Sequence, residues 1–445
     1  MPTPSQTVRA NLGKTLTIWT PEDKEFWVRQ GQAIANINLW ISVPALFLAF
    51  AVWQLWSVVA VNLPLLGFKF TPNQLFWLAA APALSGATLR IFYSFMVPVF
   101  GGRRWTAIST ASLLIPALGI GIAIQDPQTT YSTFLVLALL CGFGGGNFSS
   151  SMANINFFFP MERKGSALGV NAGLGNLGVS AAQFLAPLVI AAGVYGPLAG
   201  GAQTILRNGV PVQIFAQNAA FVWVPFIVLA TVAAWIGMND IAEAKASLRA
   251  QAVIFRRKHT WVMSWLYLGT FGSFIGYSAG FPLLIKNQFP EVSALAYAWL
   301  GPLIGAVVRP FGGWLADKLG GAVVTFWNFV VMAAAVGGVL YFLDQHSFAG
   351  FFACFMVLFF TTGIGNGSTF RMIPVIFPAK EASPVLGFTA ALAAYGGFFI
   401  PKSYGSSIEL TGGPQAALYV FIVFYLTCIA LTWWYYSRRN APMPC

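Results

Sequence analysis

The sequence predicts an all-α membrane protein whose twelve transmembrane helices form two pseudo-symmetric six-helix bundles. Three observations lead to this fold class: long apolar segments, a scarcity of charge, and an internal repeat of half the chain length. Of the 445 residues, 57% are hydrophobic and only 8% are charged. Because soluble domains carry about 25% charged residues, the composition excludes a soluble globular chain.

Twelve apolar segments are long enough to cross a bilayer core of about 30 Å, which takes roughly 20 residues. The predicted spans are 38–62, 74–100, 105–124, 131–159, 166–194, 219–238, 261–286, 293–316, 322–343, 350–377, 385–408 and 414–437. Glycine and proline interrupt 142–160 and 363–378, and membrane helices tolerate such breaks where neighbouring groups satisfy the freed backbone. The polar residues 1–37 show no signal-peptide pattern, so the first span itself is expected to direct insertion.

The predicted domain organisation follows from these spans. It comprises an N-terminal tail (1–37), a first six-helix bundle (38–238), a charged linker (239–260), a second bundle (261–437) and a C-terminal tail (438–445).

Lysine and arginine are distributed unequally between the two sets of loops. Of the 24 basic residues, 17 fall in the tails and in the loops on the same side, whereas Lys69, Arg207 and Lys286 fall on the other side and Lys402 is ambiguous. This asymmetry predicts that both termini are cytoplasmic. The net charge of +12 therefore reflects membrane topology, and no nucleic-acid partner is expected.

The four cysteines, Cys141, Cys354, Cys428 and Cys445, have neither metal-binding nor redox spacing. They are interpreted as small apolar residues of the spans and a free thiol in the tail. No metal and no cofactor is predicted.

An internal repeat divides the chain into halves. The stretch 84–90 (LSGATLR) aligns with 303–309 (LIGAVVR) at an offset of 219 residues, and Gly101-Gly102 aligns with Gly320-Gly321 at the same offset. Parallel halves with a site between them near the bilayer midplane are the plan of the major facilitator fold.

Three arginines, Arg90, Arg309 and Arg371, fall inside predicted spans. A charge at the centre of an inserted helix costs on the order of 2.5–3.5 kcal/mol, so such a residue indicates a functional site. Arg90 precedes Gly101 by eleven residues and Arg309 precedes Gly320 by eleven, which places each about 16 Å into the membrane. The repeat therefore predicts two arginines at matching depth beside one central cavity.

No carboxylate is available to neutralise these arginines, because none of the twelve acidic residues lies deep in a predicted span. Buried charges need partners, so the cargo is expected to be a small anion, and the planar guanidinium suits a planar oxyanion. Both histidines, His259 and His346, are predicted in solvated loops. A proton relay is therefore missing, and anion exchange needs none.

Polar and aromatic residues are predicted to line the cavity, although a lone aromatic more often packs in the core or against lipid. Asn147, Ser151 and Asn154 share one helix face, as do Gly169, Gly173 and Asn176, whose small residues also permit close helix packing. The candidate aromatic residues are Phe50, Phe148, Tyr267 and Phe271.

Two long glycine- and asparagine-rich strings carry a resemblance to a known family. Residues 142–160 (GFGGGNFSSSMANINFFFP) with 167–178 (ALGVNAGLGNLG) resemble the first signature of the nitrate/nitrite porter family of the major facilitator superfamily, and 363–374 (GIGNGSTFRMIP) resembles the second. The likeness extends from about Trp19 to the C-terminus. Residues 19–23 (WTPED) resemble the subgroup of nitrate/nitrite antiporters.

The resemblance implies a major facilitator fold with nitrate or nitrite held between Arg90 and Arg309. It also implies that Phe148 and Tyr267 contact the anion. The further residues implied near the anion are Phe50, Phe271 and Asn176. The candidates for gating or release are Arg371, Asn147, Gly173 and Gly175. Arg371 has two open roles: reaching the cytoplasmic rim of the membrane, or contacting the cargo on release.

The predicted function is exchange of nitrate for nitrite across a bacterial inner membrane by a monomer that alternates access around the arginine pair. The alternative on the same fold is nitrate/proton symport. A non-transporting membrane sensor of the anion is less favoured, because it would be expected to carry an output domain. An enzyme is not expected, since the sequence shows no nucleophile–base or metal constellation.

Overall fold

The computed structural model of the chain describes residues 12–207, 210–242 and 252–445. Twelve helical segments are long and apolar enough to span a membrane, which confirms the predicted fold class. They are α1 (Lys24–Leu66), α2 (Pro72–Tyr93), α3 (Gly102–Ala123), α4 (Tyr131–Phe158), α5 (Met161–Ile190), α6 (Asn218–Gly237), α7 (Lys258–Gln288), α8 (Ala294–Leu319), α9 (Gly321–Asp344), α10 (Phe348–Ile376), α11 (Pro384–Thr411) and α12 (Gln415–Ser437).

Several of these segments are made of shorter helices joined by single turns. The broken segments are α1 (Gln32–Trp53 and Trp56–Asn62), α3 (Gly102–Ala111 and Leu114–Ala123), α4 (Tyr131–Leu140 and Gly142–Phe158), α6 (Asn218–Phe221 and Val224–Gly237), α8 (Ala294–Tyr297 and Leu300–Leu319) and α11 (Ala379–Ala393 and Gly396–Thr411). The last pair shows that the helix of α11 itself begins at Ala379. Shorter helices occupy Met96–Phe100, Gly196–Ala199 and Ala252–Arg256, and wider π turns occupy Trp27–Gly31, Leu268–Gly272 and Trp433–Ser437.

The first helix begins fourteen residues earlier than the span predicted from residue 38. Asp23 caps it, since its carboxylate accepts hydrogen bonds from the backbone N–H groups of Glu25 (2.9 Å) and Phe26 (3.3 Å). Its early turns are held by buried Trp27 and Trp19, and the indole of Trp19 donates to the carbonyl of Phe157 at the end of α4. A search for apolar spans misses this part of the helix because polar residues surround the two tryptophans.

Glycines allow the helices of each bundle to pack backbone to backbone. At Gly144 in α4, an added Cβ would lie 2.1 Å from the carbonyl oxygen of Ala49 in α1. In the second bundle, a Cβ at Gly367 in α10 would lie 2.4 Å from the carbonyl oxygen of Arg309 in α8. Both glycines belong to the glycine-rich strings, so part of each string is explained by helix packing.

The first described residues, from Leu12 onward, and the C-terminal residues lie at one end of the bundle, which we call the terminal face; the opposite end is the far face. On the terminal face, the strands Thr15–Leu16 and Asp240–Ile241 pair in parallel. The C-terminal residue packs there as well, because its carbonyl oxygen accepts a 3.0 Å hydrogen bond from the backbone N–H of Ala322. The far face carries an antiparallel hairpin of strands Gln203–Arg207 and Val210–Ile214, which the sequence analysis did not predict.

The two bundles touch between the level of Arg90 and the far face. The hydrogen bonds that join them within the described ranges are Asn73–Glu409, Asn73–Lys402, Thr88–Tyr395, Arg90–Ala390, Ser180–Trp299 and Gln183–Ser278. All of these pairs lie at or beyond Arg90 on the side of the far face. The far face is therefore closed.

Toward the terminal face, α5 stands apart from the second bundle. Gly165, Gly169 and Gly173 lie on the same side of α5 as Ser180, whose hydroxyl donates to the carbonyl of Trp299 in the second bundle. A Cβ added at any of the three glycines would meet no described atom within 4 Å. The cleft between the bundles is consequently open at the terminal face.

Candidate functional site

Arg90 in α2 lies between the bundles and is fully buried. Its Nε donates to the carbonyl of Gly145 in α4 at 2.9 Å, and its Nη1 donates to the carbonyl of Ala390 in α11 at 2.8 Å. The carbonyl of Ala390 belongs to the last turn of the helix Ala379–Ala393, and carbonyls at a helix C-terminus attract cations. The remaining nitrogen, Nη2, is buried without a hydrogen-bond partner among the described residues.

Arg309 in α8 occupies the corresponding position of the second bundle and is 8% exposed. Its Nη2 donates to the hydroxyl of Tyr267 in α7 at 3.3 Å. Its Nη1 is buried and has no partner in the described part of the chain. Each arginine of the repeat-related pair thus keeps one buried N–H-bearing nitrogen without a hydrogen bond to the described residues.

A row of aromatic rings connects the two guanidinium groups. Phe148 stacks on Phe271 (6.3 Å between ring centroids), Phe271 stacks on Tyr267 (5.5 Å), and Tyr267 contacts Phe370 (5.7 Å). The guanidinium carbon of Arg90 lies 4.6 Å from the Phe148 ring centroid and 5.1 Å from that of Phe271. The guanidinium carbon of Arg309 lies 5.4 Å from the centroid of Phe370. The two cations therefore belong to one site that spans both bundles.

Cation–π contact favours these positions by roughly 2 kcal/mol or more per contact when desolvated, but a ring carries no net negative charge. Within residues 12–207, 210–242 and 252–445, neither arginine has a carboxylate within 4 Å. The ion pairs of this part of the chain are Arg29–Glu25, Arg103–Asp240, Arg104–Asp240, Arg257–Glu381 and Arg371–Asp317. The site combines two buried positive charges with two unused donors, which is the requirement for binding an anion.

The remaining predicted site residues divide between this site and the helix packing around it. Phe50 contacts Phe148 edge to face at 6.0 Å. Asn176 is fully buried, and both polar atoms of its side chain lack a partner among the described residues. Gly173 borders the open cleft, whereas a Cβ at Gly175 would lie 2.7 Å from the side chain of Leu46 in α1. Gly175 is therefore a packing residue in this structure.

The polar stripe of α4 turns away from the arginine pair. Asn147 donates to the carbonyl of Ser109 in α3 at 3.3 Å, and Ser151 accepts a 2.9 Å hydrogen bond from Asn171 in α5. Asn154 packs so closely on α3 that a Cβ at Gly102 would overlap its side chain. The stripe lies in the interior of the first bundle, because Phe148 instead of Asn147 occupies the side of α4 that faces Arg90.

Arg371 lies away from the aromatic row, toward the terminal face. Its Nε donates to the carboxylate of Asp317 in α8, and the two side chains are 55% and 50% exposed. Arg371 thus lies near the end of α10 at the terminal face, and its role, at the rim of the membrane or in contact with the released cargo, stays a prediction. Its neighbour Phe370, by contrast, contacts Arg309.

The histidines do not both lie in solvated loops. His259 is in the first turn of α7, where its Nδ1 is 2.9 Å from the hydroxyl of Tyr436. It precedes Tyr267 by eight residues, so it lies about 12 Å along the helix from the level of the site. His346 is exposed between α9 and α10 and stacks on Phe289. Neither histidine reaches the arginine pair.

Sequence reasoning missed three parts of the site. Trp53 lies 5.0 Å from the Arg90 guanidinium carbon and donates from its indole to the carbonyl of Pro82. Its spacing of three residues from Phe50 places both on one side of α1 and was the available signal. The carbonyls of Gly145 and Ala390 are backbone groups, so no residue type in the sequence indicates their contact with Arg90. Phe370 precedes Arg371 in the sequence, and a single aromatic residue gives a weaker signal of a site than a charged residue in an apolar segment.

Comparison with known proteins identifies the fold of this arrangement. The sequence model of the Major Facilitator Superfamily matches residues 45–401. Among solved structures, a bacterial homologue of the human lysosomal transporter Spinster, crystallised in an inward-facing and occupied conformation, superposes with a TM-score of 0.65. The alignment covers 89% of this chain and 95% of that one at 16% sequence identity, so it supports the fold alone.

Curated relatives match over nearly the whole chain. The nitrate/nitrite transporter NarU of Escherichia coli is 50% identical, with 95% of this chain and 96% of the relative aligned. The probable nitrate/nitrite antiporter NarK2 of Thermus thermophilus is 43% identical, with 98% and 100% aligned. The E. coli and Thermus proteins are therefore similar to this chain in length as well as in sequence.

Proposed function

The chain belongs to the nitrate/nitrite porter family of the major facilitator superfamily, and we propose that it exchanges nitrate for nitrite across a bacterial inner membrane. Its relatives are named nitrate/nitrite transporters and antiporters, so nitrate and nitrite are the first anions to test as cargo. The observation that carries the proposal is the pair of buried nitrogens without a partner, Arg90 Nη2 and Arg309 Nη1. They belong to opposite bundles, so one planar oxyanion held between them would join the bundles.

The electrostatics of the pair favour exchange over uniport. Two cations at about 6 Å repel by roughly 3 kcal/mol at an effective dielectric constant near 20. An empty carrier would have to bring Arg90 and Arg309 together against this repulsion, whereas a bound anion cancels it. Reorientation in each direction therefore requires cargo, and a nitrate carried one way is followed by a nitrite carried the other way.

No Asp, Glu or His among the described residues lies at the site, which also favours exchange. Proton-coupled carriers use an intramembrane Asp, Glu or His as a relay. The carboxylates nearest in sequence to the site residues, Asp317 and Glu381, pair with Arg371 and with Arg257 instead. Exchange needs no relay, and the alternative of nitrate/proton symport would have to use one that these residues do not supply.

We infer that both termini are cytoplasmic, because the tails and the loops on the same side carry most of the basic residues. The terminal face is then the cytoplasmic face. In this orientation, the closed far face and the cleft that is open at the terminal face correspond to an inward-facing conformation.

A competition experiment tests whether one site takes both anions. Nitrate binding to purified protein in detergent is measured by titration calorimetry, with and without saturating nitrite, and with gluconate as the inert anion. We expect nitrite to abolish the nitrate signal and gluconate to leave it unchanged. Independent binding of both anions, or no binding of either, would contradict the proposal.

A further inference from the structure

A third cation, in addition to Arg90 and Arg309, lies between the bundles, near the far face. Lys402 in α11 donates to Oδ1 of Asn73 in α2 at 2.9 Å and to the hydroxyl of Ser406 at 2.7 Å. The same Asn73 donates from its Nδ2 to the carboxylate of Glu409 in α11. We call Asn73, Lys402, Ser406 and Glu409 the outer lysine cluster. One asparagine of the first bundle thereby connects a lysine and a glutamate of the second.

The cluster exists because α2 and α11 approach very closely at this point. A Cβ added at Gly405 would lie 2.8 Å from Oδ1 of Asn73 and 2.8 Å from the Cβ of Phe76. A small separation of the two helices would therefore break the contact between Asn73 and Lys402. The cluster can form when the far face is closed and must come apart when it opens.

The charge of Lys402 is only indirectly compensated. Its hydrogen-bond partners in the described residues are neutral, and no carboxylate of that part of the chain lies within 4 Å of its ammonium group. The ring of Trp77, also in α2, is 5.1 Å away. When α2 moves away, Lys402 loses Asn73 and Trp77 together and keeps Ser406, one turn further along α11. Glu409, two turns further along the same helix, loses its hydrogen bond to Asn73 at the same time.

Lys402 also lies on the path to the arginine pair. It follows Ala390, whose carbonyl binds Arg90, by twelve residues, which is about 18 Å along the helix toward the far face. An anion that enters an open far face would pass this ammonium group before it reaches Arg90. A cation in a cleft with apolar walls raises the local concentration of anions.

We propose that Lys402 recruits the incoming anion when the far face is open and that Asn73 replaces the anion as its partner when that face closes. This inference rests on the proposed function, since it assumes that an anion enters from that side. Lys402 acts before the anion reaches the arginine pair, and it does not contact the anion bound there. The same side chain therefore serves as an entry site in one conformation and as a latch in the other.

Exchange kinetics separate the two roles. Initial rates of nitrate uptake are measured against external nitrate in right-side-out vesicles loaded with nitrite, for the wild type, Lys402→Met, Asn73→Ala and the control Lys69→Met. Lys69 is an exposed lysine of the same face outside the cluster. We expect Lys402→Met to raise the external KM about fivefold, because steering depends on the charge. Asn73→Ala, which frees Lys402, should leave the KM unchanged or lower it, and Lys69→Met should match the wild type.

Ionic strength gives a second kinetic readout. Since the screening length falls from about 10 Å at 0.1 M to about 3 Å at 1 M salt, added potassium gluconate should raise the external KM of the wild type and of Lys402→Arg. It should leave the KM of Lys402→Met unchanged. An equal salt response in Lys402→Met and the wild type would overturn the entry role, as would equal KM values in Lys402→Met and Lys69→Met.

The latch role has its own readout, which does not need transport. Ser180→Cys, in a protein whose four native cysteines are replaced, puts a thiol at the contact with Trp299 between the bundles. Both Lys402→Met and Asn73→Ala should increase its labelling rate by an impermeant maleimide added outside by about threefold or more, whereas Lys69→Met should not. Unchanged labelling in both cluster variants would refute the latch.

The outcomes also distinguish this inference from the proposed function. If the wild type neither binds nor exchanges nitrate, the proposed function fails. If the wild type exchanges nitrate but Lys402→Met behaves like Lys69→Met in external KM, in its salt dependence and in thiol labelling, only the role of Lys402 fails. Lys402→Arg keeps the charge and should retain the wild-type KM, which attributes a KM defect of Lys402→Met to the lost charge.

Discussion

Arg90 of α2 donates a 2.8 Å hydrogen bond to the backbone carbonyl of Ala390 in α11, so a buried guanidinium links the two bundles directly. The bond uses one of its nitrogens, the carbonyl of Gly145 uses another, and the third is left without a described partner. Arg90 is thus oriented by the backbone of both bundles before any cargo binds. Such fixed orientation lowers the entropic cost of binding a small anion.

The first prediction concerns the geometry of the guanidinium fork. Arg90→Lys and Arg309→Lys keep the positive charge but lose the planar pair of donors. Each hydrogen bond to a charged group contributes about 1.5–3 kcal/mol, so each variant should lower nitrate exchange by about tenfold or more. Rates are measured by uptake of labelled nitrate into vesicles, normalised to the amount of inserted protein.

Arg371→Lys is the matched control for these two variants. Arg371 is about half exposed and pairs with Asp317, and an exposed ion pair contributes little. Its exchange rate should stay within about twofold of the wild type. Near wild-type exchange by Arg90→Lys or Arg309→Lys would contradict a direct role of that arginine in cargo binding, and an equal loss in Arg371→Lys would place it on the path of release.

Two glycines of α5 should respond oppositely to alanine. Gly173 faces the open cleft, and an added Cβ would meet no described atom within 4 Å, whereas a Cβ at Gly178 would lie 2.0 Å from the carbonyl of Phe47. Gly173→Ala should leave the Tm in detergent unchanged but slow exchange about fivefold, because small residues permit close helix approach when the cleft closes. Gly178→Ala should lower the Tm, since overpacking costs about 1–3 kcal/mol.

Thermal unfolding and uptake are both recorded for this pair of variants. Wild-type exchange by Gly173→Ala would mean that this side of α5 does not approach the second bundle during the cycle. An unchanged Tm for Gly178→Ala would mean that α1 and α5 separate more easily than their backbone contact indicates.

The arginine pair could be predicted from the sequence, whereas its surroundings could be predicted only in part. Arg90 and Arg309 occupy matching repeat positions in otherwise apolar segments. Insertion of a charge into such a segment costs free energy, so the two arginines indicate a functional site from the sequence alone. Phe148, Phe271 and Tyr267 were expected near them because of the family resemblance.

What the sequence left open depends on orientation around each helix. Asn147 and Phe148 are neighbours in the chain, yet one binds a carbonyl of α3 and the other contacts Arg90. The break in α4 and the close contact of its glycines with α1 set that rotation. Trp53 and the carbonyl of Ala390 reach Arg90 through packing between segments that are far apart in sequence, and no local pattern reports such packing.

The orientation of the chain is tested by labelling a single cysteine at the C-terminus. Cys445 itself is unsuitable, because burial against α9 raises the pKa of its thiol to about 12 and maleimides react with the thiolate. Asn440, which is exposed in the tail, is replaced by cysteine after the four native cysteines are removed. In intact cells Asn440→Cys should resist an impermeant maleimide, and it should react after the membrane is permeabilised. Rapid labelling in intact cells would reverse the predicted topology and make the open cleft outward-facing.

Coupling is the central claim, and counterflow into proteoliposomes tests it most directly. Uptake of labelled nitrate is compared in vesicles loaded with nitrite, with nitrate or with gluconate, while membrane voltage is clamped and a proton gradient is imposed or collapsed. Exchange through the arginine pair predicts rapid uptake with nitrite or nitrate inside, almost none with gluconate, and rates that the proton gradient leaves unchanged. Strong uptake into gluconate-loaded vesicles, driven by an inward proton gradient, would contradict the exchange mechanism and favour nitrate/proton symport.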